Sequence, residues 1–362
     1  MAPVRCGTGV VRARLCRPMQ RYQLGNVYTT LRDAIRSQNW PAASAALGQA
    51  IGVALPGQPS ADAITAAAAN LAPQLTYRGF KPAELAMVAG GVKPLVKFED
   101  IPRADAAAFT APAGDWSVHL GTAYRKDYLL LRSRPCAATD PAALVTVYCG
   151  RGDLPAQLRA LEGSDREAIA RAGALLAIPP CCSAAFAADF ERSRQDQDTV
   201  NDDACHRVVH SARADQGASW TMNPLADREL LGFYPCSCQC PQALLRAQHV
   251  RAALPAEQAA LAKQALLRPT LYFRLPFFLT FIGQWDGDAL HFTAAQVNGF
   301  GHPLARTAQA LLAAHLLPWL AEGDALRLHG STLQLWRGTK EIQKLALPHA
   351  GSAVLSRWTD DP

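Results

Sequence analysis

Residues 178–183 read Ile-Pro-Pro-Cys-Cys-Ser, and residues 234–241 read Tyr-Pro-Cys-Ser-Cys-Gln-Cys-Pro. These two stretches contain five of the ten cysteines in the 362-residue chain, and a sixth, Cys205, lies between them. Thiols concentrated in this way, in a chain that shows no secretion signal, indicate a metal, iron–sulfur or redox site more often than a disulfide framework. We therefore expect the fold to be organised around this segment.

Each cysteine group is predicted to lie at the start of a helix. The run 183–194 repeats apolar residues at spacings of three and four, so Cys181 and Cys182 fall in the first turn or the cap of a helix. Cys240 occupies the cap position of a second helix, whose first residue is Pro241. Helix N-termini present unpaired N–H groups and the positive end of the helix dipole, and both stabilise a thiolate.

The predicted site combines the thiols of both helix starts. If the two starts converge, four thiolates form a preorganised nest for a metal ion or an iron–sulfur cluster. The four predicted ligands are Cys181, Cys182, Cys236 and Cys240.

The cysteine stretches also resemble an uncharacterised family of bacterial and archaeal proteins. That family has a Pro-Pro-Cys-Cys element after a short helix, then Asn-Pro-Leu, then Pro-Cys-Ser-x-x-Cys-Pro leading into a helix. Residues 177–182, 223–225 and 235–241 match these elements in order and spacing. The resemblance covers the middle third of the chain and implies no particular activity. Because Cys205 and Cys238 are not part of the pattern, they rank below the other four cysteines.

A short predicted helix between the two stretches carries two further candidates. This helix covers 204–213, and His206 and His210 share one of its faces because they are four residues apart. They are candidate extra ligands or proton donors. A metal site with this spacing needs a third ligand that the sequence does not identify, and the alternative is that both are surface residues of the helix.

Composition limits the classes of partner and compartment. The chain is 49% hydrophobic and carries a formal net charge of +6, with its basic residues scattered along it. We expect no nucleic-acid partner, because such binding requires basic residues clustered with exposed aromatic residues. No run of about 18 apolar residues is present, so we expect no membrane association and a cytoplasmic location. Residues 1–18 are predicted to be a basic arm, or to precede the true start at Met19.

The expected fold class is α+β. Helical periodicity over 19–75 predicts an N-terminal helical subdomain, and 76–362 is expected to form an α+β core. Short β-favouring runs lie on both sides of a helical, cysteine-rich insert at 154–268. We expect them to join in one antiparallel sheet, with the cysteine-bearing helices packed on a face or edge. The runs are 116–120, 128–132 and 144–148 before the insert, and 271–282, 289–292, 325–328 and 332–336 after it.

Several familiar sites are excluded. The chain contains no Gly-x-Ser-x-Gly elbow, no phosphate-binding loop, no His-Glu-x-x-His and no dinucleotide glycine fingerprint. Zinc ribbons use Cys-x-x-Cys pairs, whereas the cysteines here are adjacent or one residue apart. We expect adjacent ligands to suit a multi-iron cluster better than one small ion.

Three functions fit these observations. The first is a cytoplasmic enzyme of redox or sulfur-transfer type, in which the four thiolates hold an iron–sulfur cluster, for example 4Fe–4S, or a catalytic metal. In that enzyme Cys182 or Cys238 is the candidate nucleophile, His206 and His210 are the candidate proton donors, and the substrate is a small molecule, a protein or a peptide. The second is a zinc-stabilised protein-binding module without catalysis. The third is a metal-free thiol–disulfide site.

Overall fold

Two antiparallel sheets flank the cysteine-rich helices along the chain. The predicted basic arm at 1–18 lies outside the residues that the structure describes. This structure is a computed structural model, and it describes residues 22–71, 87–88, 90–91, 93–109, 115–127, 129, 132–161, 165–196, 200–213, 217–225, 230–298, 303–348 and 351–360.

The first sheet precedes the cysteine-rich helices. Its strands are β1 (Leu95–Pro102), β2 (Trp116–Leu120), β3 (Tyr124–Asp127), β4 (Arg132–Pro135) and β5 (Leu144–Arg151). β5 pairs with β1, β2 and β3, and β3 pairs with β4, all antiparallel. β5 is the buried centre of this sheet, because Val145, Val147 and Cys149 point into one apolar cluster and Tyr148 points into another.

The second sheet has seven strands, all of which follow the cysteine-rich helices in the chain. A further short strand near the end of the chain, β14 (Trp358–Thr359), pairs in parallel with β6 (Ala218–Ser219). The strands of the large sheet are β7 (Thr270–Arg274), β8 (Phe277–Asp286), β9 (Ala289–Val297), β10 (Ala325–His329), β11 (Thr332–Arg337), β12 (Lys340–Ala346) and β13 (Val354–Ser356). Their order across the sheet is β12-β11-β10-β9-β8-β7-β13.

The helices fall into an N-terminal group, a central group and one long helix. Asn39 caps the second helix by accepting from the N–H of Ala42, and Gly52 ends it in the left-handed conformation. The N-terminal helices are α1 (Tyr22–Arg36), α2 (Trp40–Ile51) and α3 (Ala61–Ala69). The central helices are α4 (Leu154–Ala160), α5 (Arg166–Leu175), α6 (Pro180–Asp196), α7 (Val200–His210), α8 (Pro241–Ala253) and α9 (Ala256–Leu266), and the long helix is α10 (Pro303–Ala321).

Two apolar clusters account for most of the core around the site. The larger one joins the seven-stranded sheet with α10 and with α1, α2 and α3. The second lies among the central helices and contains Cys182, Cys240, Trp220, Met222 and Trp358. The cysteine site is therefore built into a hydrophobic cluster of its own. The domain boundary predicted near residue 75 stays a prediction.

The α+β class is confirmed, but the strands do not form the single sheet that we expected. Among the described residues, β1 to β5 and the strands after the cysteine-rich helices belong to separate sheets. β13 pairs with β7 and so forms one edge of the large sheet. A strand of the first sheet could join the large sheet only at an edge. The hydrophobic pattern predicts strands, but it does not predict which edges pair.

Leu129 interrupts the strand predicted at 128–132, of which 128, 130 and 131 lie outside the described residues. Leu129 lies in a turn between β3 and β4, and Arg132 begins β4. Leu129 is 3% exposed and belongs to the larger apolar cluster. Burial of Leu129 in this turn is consistent with its apolar side chain. No helix in the described part of the chain combines the length and apolar character needed to cross a bilayer.

His315 of α10 connects this helix to the N-terminal helices. It is 3% exposed, its Nδ1 donates to the carbonyl of Pro56 at 2.8 Å, and its Nε2 accepts from Oγ of Ser44 at 2.9 Å. The Pro56 carbonyl can only accept, so this bond selects the neutral tautomer with the proton on Nδ1. Burial lowers the pKa of His315, although the hydrogen bond to Pro56 opposes this effect.

This burial predicts a loss of stability in mild acid. In the unfolded chain, the side chain of His315 titrates near the ordinary histidine pKa of about 6.5 and binds a proton more readily than it does in the folded protein. The contribution of His315 to stability is therefore complete above that pH. It is lost as the pH falls toward the lowered pKa of the folded state. We expect His315→Gln to weaken this pH dependence in denaturant unfolding measured from about pH 7.5 to about pH 5. The exposed His291 provides the control, since His291→Gln should leave the profile unchanged. Equal slopes for wild type and His315→Gln would contradict this account.

Candidate metal centre

Cys181 and Cys182 lie in the first turn of α6, as predicted. The helix begins at Pro180, a residue suited to the first helical position because its missing N–H needs no partner there. α5 packs closely against this turn because Gly173 has no side chain, and a Cβ there would collide with Oγ of Ser183. The first turn of α6 is therefore held in place by close packing.

Cys240 is the N-cap residue of α8, and Pro241 is the first residue of that helix, again as predicted. The N–H of Cys240 donates to the carbonyl of Ser237 at 3.2 Å, which closes a tight turn just before the helix. This turn brings Cys236 and Cys240 to the same side of the loop, as the positions of their sulfur atoms show.

Four sulfur atoms converge where the two helix starts meet. The Sγ atoms of Cys181, Cys182, Cys236 and Cys240 all lie within 4.8 Å of one another. The Sγ of Cys181 is 3.9 Å from that of Cys182 and 3.7 Å from that of Cys240. The Sγ atoms of Cys182 and Cys240 are 3.8 Å apart. Cys182 and Cys240 are buried, whereas the other two are half-buried. The group could hold a metal ion, and the predicted convergence is confirmed.

The three sulfur–sulfur distances are close to those expected around a single ion. With metal–sulfur bonds of about 2.3 Å, the edge of a regular tetrahedron of four sulfurs is about 3.8 Å. Cys181 and Cys182 reach this spacing although they are adjacent in the chain. Adjacency is therefore no obstacle to a shared single-ion site in this fold, contrary to our expectation from the sequence.

Hydrogen bonds within the group determine which thiol ionises first. Bonds from Cys182 and Cys236 lower the pKa of Cys240 to about 2. Bonds to Cys236 and Cys240 raise the pKa of Cys182, and burial raises the pKa of Cys181 to about 12. Cys240 is thus the thiol of the group whose pKa is lowered, and it ionises before the other three. A dication that binds all four sulfurs displaces the protons of the other thiols.

Backbone groups also favour negative charge at the site. The N–H of Cys236 donates to Sγ of Cys182 at 3.3 Å. The positive ends of the α6 and α8 dipoles lie at the cysteines, since both helices begin there. These donors and dipoles stabilise thiolates before any ion binds, so the site is electrostatically suited to a cation.

Two other predicted cysteines lie apart from the four-sulfur group. The Sγ of Cys238 donates to the carbonyl of Ser211 at 2.8 Å, and the N–H of Cys238 donates to Oγ of the same serine at 3.0 Å. Cys238 therefore ties the loop to the end of α7, and burial raises its pKa to about 11. Cys205 is fully buried in the larger apolar cluster. The proposed role of Cys238 as a nucleophile stays a prediction.

His206 and His210 share one face of α7, as predicted, but the four-sulfur group includes neither of them. Their rings stack with centroids 5.6 Å apart, and the ring of His206 lies 6.2 Å from that of Tyr272 on β7. Nε2 of His206 is 3.4 Å from the carbonyl oxygen of Gly351. Their contacts thus lie toward the large sheet, and their role as proton donors stays a prediction.

The sequence patterns did not indicate two charged residues that lie beside the site. Asp189 of α6 is 1% exposed, and its Oδ2 accepts from Nη2 and Nε of Arg207 on α7 at 2.7 and 3.0 Å. Arg207 also donates through Nη1 to the carbonyl of Pro235, the residue before Cys236. One aspartate and one arginine in different helices form no motif, so only their contacts reveal the connection.

Comparisons with known proteins identify no relative: no family model, no curated protein and no solved structure matches the chain. The resemblance to an uncharacterised family stays an expectation from the cysteine stretches.

The four-sulfur group predicts which cysteines are required for metal binding. Alanine at position 181, 182, 236 or 240 should reduce the metal content from about one ion per chain to near zero, because a structural tetrahedral site needs all four ligands. Elemental analysis of each purified variant measures this. Cys136→Ala is the control and should retain the metal, because Cys136 packs against the first sheet and not against the four-sulfur group. Full metal content in all four ligand variants would contradict the shared site.

Proton displacement predicts that metal affinity rises with pH. More than one thiol must lose its proton for each ion bound, so the affinity should fall by more than about tenfold for each unit of pH decrease. Competition with a chromophoric zinc chelator between about pH 6 and about pH 8, corrected for the chelator's own titration, measures the slope. An affinity independent of pH over this range would show that the ion is not held by the thiols.

Proposed function

We propose that this protein is a zinc-stabilised binding module, in which one zinc ion held by Cys181, Cys182, Cys236 and Cys240 joins the starts of α6 and α8. The single observation that carries the proposal is the separation of 3.7 to 3.9 Å between three pairs of these sulfurs. This separation is the one expected when one tetrahedral ion binds all of them.

The spacing favours one ion over an iron–sulfur cluster. A four-iron cluster places a separate iron beneath each thiolate, so its ligand sulfurs lie farther apart than the edge of a tetrahedron around a single ion. Here all four sulfurs lie within 4.8 Å of one another. The iron–sulfur enzyme predicted from the sequence therefore becomes the alternative outcome of the experiment below.

The ligand set favours a structural role over catalysis. Catalytic zinc sites use three protein ligands and leave the fourth position to water or substrate, whereas four-cysteine sites are closed. Four thiolates within 4.8 Å of one another are enough to fill the coordination shell of one ion. The candidate acid–base residues His206 and His210 contact Tyr272 and Gly351 and do not belong to the four-sulfur group. We therefore propose recognition of a protein or peptide partner, and not turnover of a substrate.

The bound ion would contribute directly to folding. Its ligands come from two separate stretches of the chain: Cys182 and Cys236 are 54 residues apart, and Cys181 and Cys240 are 59 residues apart. Binding free energy at such a site is folding free energy, because the unfolded chain has no preformed site. Zinc would thus hold the central helices together around Trp220 and Trp358, which belong to the same apolar cluster as Cys182 and Cys240.

The test is the metal and acid-labile sulfide content of protein purified without oxygen, with its absorption spectrum. We expect about one zinc per chain and no sulfide. We also expect no absorption band at wavelengths longer than those at which the protein itself absorbs, because zinc is a closed-shell ion. A variant with alanine at all four ligand positions is the control for metal bound elsewhere.

The other outcomes separate the alternatives. Iron and sulfide in nearly equal amounts, with a broad visible absorption, would overturn the zinc proposal and support the cluster enzyme. Iron without sulfide would support a single-ion site that binds iron in place of zinc. Protein without metal, whose four thiols form disulfides reversibly, would support the thiol–disulfide site.

A further inference from the structure

We infer that Arg207 is a positioning residue of the metal centre. It orients the peptide group between Pro235 and Cys236 so that the N–H of Cys236 donates to the sulfur of Cys182. The inference rests on the proposed single-ion site, and it extends that site beyond the cysteines to a charged pair on α6 and α7.

The Asp189 carboxylate is the anchor of this arrangement. It is 1% exposed, and a carboxylate removed from water needs charged or hydrogen-bonding partners to remain ionised. Arg192 contacts Oδ1 from the same helix, and Arg207 contacts Oδ2 from α7. The carboxylate thus fixes the guanidinium of Arg207 relative to α6, the helix that carries Cys181 and Cys182.

Arg207 reaches the second cysteine stretch with its remaining nitrogen. Two of its nitrogens, Nε and Nη2, donate to Asp189, and Nη1 donates to the carbonyl of Pro235. A guanidinium can make these contacts at once because its donors form a rigid planar fork. A lysine ammonium is a single point of charge on a flexible stem and does not reproduce the fork.

The peptide group between Pro235 and Cys236 is held from both sides. Its carbonyl accepts from Nη1 of Arg207, and its N–H donates to Sγ of Cys182 at 3.3 Å. The carbonyl and the N–H of one trans peptide point in opposite directions in one plane. Fixing the carbonyl therefore fixes the direction of the N–H, and with it the donor that stabilises charge on the Cys182 sulfur.

Two arginines on one carboxylate provide a matched comparison. Arg192 and Arg207 both neutralise Asp189, but only Arg207 contacts the residue next to a cysteine ligand. If charge neutralisation were the whole role, loss of either arginine would have similar consequences. If Arg207 positions the peptide group, only its replacement changes the metal site.

The experiment measures zinc affinity by chelator competition and the absorption spectrum of the cobalt(II)-substituted protein for Arg207→Lys, Arg192→Met and wild type. Loss of a supporting contact beside a metal ligand costs about 10- to 100-fold in metal affinity. We expect this loss for Arg207→Lys, together with a shift of the sulfur-to-cobalt charge-transfer band, because the Cys182 sulfur loses an oriented donor. Arg192→Met should have wild-type affinity and an unchanged spectrum.

The outcomes distinguish this inference from the proposed function. Wild-type affinity and spectrum in Arg207→Lys would overturn the inference and leave the zinc site intact, and so would equal losses in both arginine variants. A wild-type protein that binds neither zinc nor cobalt would overturn both proposals. Should Arg207→Lys fail to fold, Arg207→Gln replaces it, because one amide group cannot bridge the Asp189 carboxylate and the Pro235 carbonyl as the guanidinium does. We expect a weaker affinity in that variant, and an unchanged affinity would contradict the positioning role.

Discussion

The convergence of four sulfur atoms at two helix starts is the constraint on which the central part of this fold depends. Thiols this close repel one another when ionised, so the arrangement is stable only if protons or a cation lie between them. The distances of 3.7 to 3.9 Å suit either a set of S–H hydrogen bonds or the edges of a tetrahedron around one ion. One ion at the centre of a tetrahedron accounts for the positions of all four cysteines.

The surrounding elements place these sulfurs with ordinary interactions of packing and hydrogen bonding. Gly173 allows α5 to approach the first turn of α6, and the bonds of Cys238 to Ser211 attach the second loop to the end of α7. Arg207 then connects that loop to the buried Asp189 of α6. The central helices thus obtain a defined structure from a small apolar cluster, a charged pair and the cysteine group.

Much of the site could be predicted from the sequence, because its residues carry local signals. Prolines at the first helical positions and apolar periodicity located both helix starts, and the density of thiols selected Cys181, Cys182, Cys236 and Cys240. The fold class was predictable from the succession of strand and helix patterns. The separation into two sheets was not, because edge pairing such as that of β13 with β7 depends on contacts far apart in the chain. The same limit hid Asp189 and Arg207, and it led us to treat adjacent cysteines as poor ligands for one ion.

The most direct test of this account is X-ray absorption at the metal edge of the purified wild-type protein, because it reports the ligands of the ion itself. The account predicts zinc surrounded by four sulfur atoms at about 2.3 Å, with no metal neighbour. An iron edge with a second iron close to the absorbing atom would contradict the single-ion site. A zinc site with nitrogen or oxygen among its ligands would contradict the closed four-thiolate centre.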